Sequence, residues 1–226
     1  LLVAYDSIQN ITYTRDLGIT MTGFNGAATN APIALDGWSS FTAALGGDLS
    51  NVRWGIVAGD ALTPISTLFT AVARVGNGTT TNPVQSRISG INTAISTIEN
   101  ANNTLLNNAT ATGTHTTTAN GWSVVDSDTA DVYQGAALFG SSANLGTSFA
   151  VAAGLATDLY FYRFSSPTAG GSTRTAFGNQ LGQGQWSLNE GNGSLQYTAP
   201  VPEPGTYALM LAGLLTLGAV ARRRTK

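Results

Sequence analysis

The sequence predicts a mainly β protein with one or two helices, built as a β-sandwich or jelly-roll-like body and ending in a C-terminal membrane helix. Three observations carry this expectation. Apolar and polar residues alternate at period two in several short runs, as in half-buried strands. Twenty-seven glycines and many Asn, Thr and Ser punctuate those runs. A charge-free apolar run then closes the chain, directly before a cluster of arginines.

Leu1–Ile8 and Ile11–Tyr13 are short β-type runs. Leu17, Ile19, Met21 and Gly23 alternate with Gly18, Thr20 and Thr22, which predicts a half-buried strand. In Leu35–Leu45, Trp38, Phe41 and Leu45 fall at helical spacing, and Gly46-Gly47 provides the stop. Val52, Trp54, Ile56 and Ala58 alternate again, with Gly59-Asp60 closing that strand. Ser66–Val75 reads as a further strand, and Thr157–Phe164 as the densest one. Gln185–Leu188 and Ser194–Thr198 flank Asn189-Glu190-Gly191-Asn192-Gly193, a hairpin with a five-residue loop. Trp186 and Leu188 then share a face with Leu195 and Tyr197.

The middle has a different period. From Pro83 to Asn108, Ile88, Ile91, Ile95, Ile98 and Leu105 line one face of an amphipathic helix. Asn92, Thr93, Ser96, Asn100 and Asn103 lie opposite. These are mediocre helix formers, so the helix depends on packing against a sheet. Thr110–Asn120 follows as a Thr-rich loop.

Composition excludes several kinds of chemistry. The 226 residues include no Cys and one His. That removes disulfides, thiolate metal sites and cysteine nucleophiles, and leaves little for a zinc site. Only 10% of residues are charged, against about 25% in ordinary soluble domains. Residues 1–199 hold six bases and eleven acids, a net −5. Residues 200–226 hold Glu203 against Arg222, Arg223, Arg224 and Lys226, a net +3. An acidic body argues against a nucleic-acid partner. The split divides the chain into an exported β-rich domain, 1–199, and a separately purposed tail, 200–226.

The tail reads Val201-Pro202-Glu203-Pro204-Gly205, then an apolar run, Thr206–Ala221, then Arg222-Arg223-Arg224-Thr225-Lys226. As a helix the 16-residue run is about 24 Å long. A bilayer core is about 30 Å thick, and snorkelling arginines close much of the gap. Arginines hold the C-terminus on the cytoplasmic side, with the body outside. Pro202 and Pro204 keep Glu203 extended and accessible to a processing enzyme. The competing expectation, a buried core helix, does not account for the three arginines.

This combination resembles the PEP-CTERM sorting signal found on exported proteins of Gram-negative bacteria that make exopolysaccharide. The resemblance covers about residues 200–226. It implies an exosortase in the inner membrane as partner, with cleavage near Pro202, Glu203 and Pro204. It also implies a transient anchor through 206–221 with Arg222, Arg223 and Arg224 as the membrane stop. Cell envelope surface or extracellular matrix is the destination it implies. A signal peptide is expected upstream of Leu1.

Catalytic candidates in the body are sparse. His115 sits in a run of threonines with no aliphatic anchor, as an exposed loop residue does. Glu99 and Glu190 read as solvated charges, and Asp60 as a turn former. Asp126, Asp128 and Asp131 present oxygens in the manner of a calcium loop, but lack its sixth-position glycine and distal Glu. A polar turn is the plainer expectation, and calcium is the one metal the sequence offers. Trp38, Trp54 and Trp186 are expected in the core. Trp122, after Asn120-Gly121, is the candidate for stacking on a sugar ring.

These readings favour a non-enzymatic surface or matrix protein that binds copies of itself, its low charge limiting repulsion. The alternative is a carbohydrate-binding or adhesive module of the exopolysaccharide matrix. A secreted hydrolase fits least, given the scarcity of His and Glu.

Overall fold

A computed structural model describes residues 1–20, 24, 31–60, 65–71, 114–115, 121–126, 152–168, 171–176, 178–179, 182–199 and 209–217. The predicted helix over 83–108 lies outside the described residues. In chain order the elements are β1 (Leu2–Asp6), β2 (Ile11–Arg15), β3 (Ile33–Ala34), α1 (Trp38–Ala44), β4 (Val52–Asp60) and β5 (Ile65–Ala71). There follow β6 (Thr114–His115), β7 (Trp122–Asp126), β8 (Ala153–Gly154), β9 (Leu159–Thr168) and β10 (Gly171–Ala176). Last come β11 (Gly178–Asn179), β12 (Gly182–Gln183), β13 (Gln185–Asn189), β14 (Ser194–Thr198) and a helix, α2, over 209–217.

Among the described residues, twelve strands form one sheet path, β3-β14-β13-β9-β5-β4-β1-β2-β7-β6, with β10 beside β9 and β8 beside β4. β11 and β12 pair separately. Every pairing between these strands is antiparallel. The mainly β class is therefore as expected.

β4 joins the two arms of this path. Its first half pairs with β1, from Asp6 opposite Val52 to Leu2 opposite Ile56. Its second half pairs with β5, from Val57 opposite Phe69 to Asp60 opposite Ser66. At the change of partner, Ile56 N donates to the buried Thr70 Oγ1 at 3.1 Å. A side chain thus satisfies a backbone amide where the ladder changes hands.

Both arms feed one apolar cluster. Leu2, Ala4, Tyr13, Trp54 and Val124 come from one side of it, and Phe161, Trp186, Leu188, Leu195 and Tyr197 from the other. Phe24 packs edge-on against Phe161 and Tyr197, at 5.0 and 5.2 Å between ring centroids. Helix α1 closes the cluster with Trp38 and Phe41, followed by Leu45, the spacing read from the sequence. The helix ends in a Schellman motif: Gly47 N donates to Thr42 O and Gly46 N to Ala43 O. Gly46, at φ 63°, takes the left-handed conformation that this ending requires.

β1 is buried along its whole length. Leu2 and Ala4 face the cluster, and Val3 and Tyr5 face the other way by the strand alternation. That second face is also covered. Thr12, Thr14 and Ser123 are buried in it, and Thr14 Oγ1 lies 2.6 Å from Ser123 Oγ across the β2–β7 pair. Thr14 and Ser123 thus satisfy each other inside the sheet, whereas the Thr12 hydroxyl is buried without a partner.

Two expectations are corrected. Residues 17–20 do not form a strand. Gly18, at φ 66°, turns the chain, with its amide donating to Asp16 Oδ1 at 2.9 Å. Leu17 and Ile19 pack on the cluster from a loop. His115 is not in a loop either: it lies in β6, opposite Ser123.

Candidate functional site

Trp122 opens β7 and stands opposite Arg15 of β2. It is half-buried, whereas Trp38, Trp54 and Trp186 are 4%, 0% and 1% exposed. Three tryptophans are in the core as expected, while Trp122 packs against the core cluster from its edge. Its six-membered ring lies against Gly37, where an added Cβ would fall 2.1 Å from Cδ2. Gly37 also sits at φ 79° as the residue before α1. Only glycine meets both demands without strain.

The neighbouring groups are fixed by bonds. Arg15 pairs with Asp36 at 3.1 Å, with Arg15 mostly buried and Asp36 exposed. Tyr13 OH donates to the Asp36 carbonyl at 2.8 Å. Burial pushes the Tyr13 hydroxyl well above its ordinary range, so it remains a neutral donor. Asp16 N donates to Gly121 O at 3.0 Å, tying the β2 end to the residue before Trp122. The result is a corner with one indole, one guanidinium and one exposed carboxylate. Such a corner can stack on an apolar face of a ligand and bond its polar rim.

The remaining candidates are placed as follows. Asp126 ends β7, opposite Ile11. Asp128 and Asp131 lie outside the described residues, as does Glu99. Among the described residues no group of three acidic or imidazole side chains is placed to hold a metal ion. Asp60 ends β4, opposite Ser66, while Glu190 is exposed in the β13–β14 loop. The hairpin is as expected, but its loop is one residue shorter because Asn189 ends β13 opposite Ser194, and the register sets Trp186 opposite Tyr197 and Leu188 opposite Leu195. The loop is also locked to α1: Trp38 Nε1 donates to Glu190 O at 3.0 Å.

Sequence reasoning missed Asp6, a buried carboxylate. Its Oδ1 accepts from the amides of Ile8 and Gln9 at 2.7 and 2.8 Å, and its Oδ2 is buried without a partner. An Asp two residues before the end of the first β run, a residue type that favours turns, was the available signal. The Arg15–Asp36 pair had no such signal, since it joins residues from separate elements.

Pro202, Glu203, Pro204, Arg222, Arg223 and Arg224 lie outside the described residues. Within the tail, α2 spans nine described residues, all exposed. Leu209, Met210, Leu211, Leu214, Leu215 and Leu217 are 60–77% exposed. Of the membrane helix expected over 206–221, residues 209–217 are described, and they are helical. No helix among the described residues is long and apolar enough to cross a membrane.

Residues 200–224 match the family model of the PEP-CTERM protein-sorting motif. The motif indicates export with a transient membrane-anchored state, and an exosortase as processing partner. No curated protein matches the chain, and no solved structure matches it.

Proposed function

We propose that this is a non-enzymatic surface or extracellular-matrix protein, held briefly at the inner membrane and released by exosortase cleavage near Pro202-Glu203-Pro204. The match of residues 200–224 to the sorting motif carries this reading. The tail chemistry supports it. A charge-free run and three arginines suit a bilayer and its cytoplasmic edge. The exposed leucines of α2 have apolar surface to offer lipid or a membrane-embedded enzyme. The described strands of the body form one antiparallel sheet path whose two arms share β4, and the low charge of the body favours assembly with copies of itself in an exopolysaccharide matrix.

Mass spectrometry of the C-terminus tests this. Protein recovered from the extracellular fraction should end close to Glu203. Recovery with an intact Lys226 end would count against it.

A second reading, a carbohydrate-binding or adhesive module, is favoured by the Trp122 corner. Trp122→Ala should abolish binding to the producer's own polysaccharide and leave the fold intact. Equal binding by the variant would remove Trp122 from the reading.

A further inference from the structure

Another concave feature lies on the β13–β14 hairpin. The alternation that buries Trp186, Leu188, Leu195 and Tyr197 turns Ser187, Ser194 and Gln196 to the opposite face. Ser187 stands across from Gln196, and Asn189 across from Ser194. The two rungs are about 6.8 Å apart along the strands. Leu155 and Ala156, just after β8, line the same groove, which encloses about 410 Å³. Small-molecule sites span roughly 300–1,000 Å³.

The rim of this groove is held in place. Asn189 Oδ1 accepts from the amides of Gly191 and Asn192, at 3.0 and 3.4 Å. Ser194 Oγ bonds to Asn192 Oδ1 at 2.7 Å. Trp38 fixes Glu190 by its backbone oxygen. A ligand would therefore meet polar groups that are already ordered, which lowers the cost of binding.

The lining selects the ligand chemistry. Its described polar side chains are neutral hydroxyls and amides, with Glu190 the one charge among them. An anionic ligand meets a carboxylate and no base among these residues. An apolar ligand strips water from hydroxyls and amides without replacing their bonds. A molecule rich in neutral hydroxyls both donates to and accepts from them. We propose that this groove binds a neutral glycan chain laid along the β13–β14 hairpin, with its hydroxyls bonded to Ser187, Asn189 and Gln196 and Glu190 accepting at one end. None of these residues belongs to the Trp122 corner, so the site stands apart from that reading and from the sorting tail.

Isothermal titration of the full-length protein with neutral hexasaccharides of glucose, galactose and mannose tests the proposal. At least one should bind saturably. Ser187→Arg and Ala156→Arg add long side chains to the groove lining, one from the hairpin and one from the segment after β8, and each should weaken binding about tenfold or more at an unchanged Tm. Ala156 is an exposed loop residue, so its variant decides the matter if Ser187→Arg fails to fold. Trp122→Ala should leave this binding unaltered. No saturable binding of any of the three sugars overturns the proposal, as does binding that survives both arginine variants. Loss in Trp122→Ala alone also overturns it, and assigns the glycan to the other corner.

Discussion

Gly37 and Tyr197 show how single residues set the chemistry of this body. At Gly37 a methyl group meets the Trp122 ring while the backbone sits at φ 79°. Backbone strain of this kind costs about 1–3 kcal/mol, and overpacking a similar amount. Gly37→Ala should therefore lose about 3 kcal/mol in urea unfolding and alter Trp122 fluorescence. Tyr197 is buried with no partner for its hydroxyl, and burial pushes its pKa up to about 12. In the unfolded chain it ionises near the ordinary tyrosine value of 10.0. Between those values the folded state holds a proton that the unfolded state has released, so stability falls as pH rises from 10 toward 12. Tyr5 and Tyr13 shift in the same direction and add to the loss. Tyr197→Phe should be close to neutral in stability at pH 7, because no hydrogen bond is lost. It should also make the alkaline decline shallower, as circular dichroism at stepped pH would reveal.

Elements with a strong local pattern were legible in the sequence, and those made by long-range pairing were not. The β13–β14 hairpin could be read to its facing pairs because turn chemistry and alternation agree over Gln185–Thr198. α1 could be read from Trp38, Phe41 and Leu45, though it begins at Trp38 because Gly37 cannot carry the helical conformation at φ 79°. β7 was not expected, although Val124 and Val125 follow Trp122. Its five residues gain a partner only when β2 arrives from more than a hundred residues away. At the Trp122 corner, the indole was picked out from its place after a loop, while Arg15 and Asp36 needed the fold to meet. Sharing β4 has an energetic corollary: neither arm of the sheet can open without breaking a strand that the other uses. Amides of β1 and β9 should then exchange with deuterium at one common free energy, as in a single cooperative unit. Distinct values for the two would show that the arms unfold separately.

At the scale of the whole molecule, an acidic body of net −5 carries a basic tip of net +3. The two parts differ in burial as sharply as in charge. Among the described residues, Ala199 is the last to pack on the core, whereas α2 leaves its leucines exposed. Deleting residues 200–226 should therefore change the unfolding free energy by no more than about 0.5 kcal/mol. A larger loss would mean that the tail braces the body. The position of β14 gives this a further meaning. That strand is paired on both edges, by β13 and by β3, and it ends at Thr198, several residues before Glu203. A cut near Glu203, as proposed, would fall beyond the last described rung of the ladder. The proposed maturation would then change where the protein resides and leave every described strand pairing in place, so release would ask for no rearrangement of the sheet.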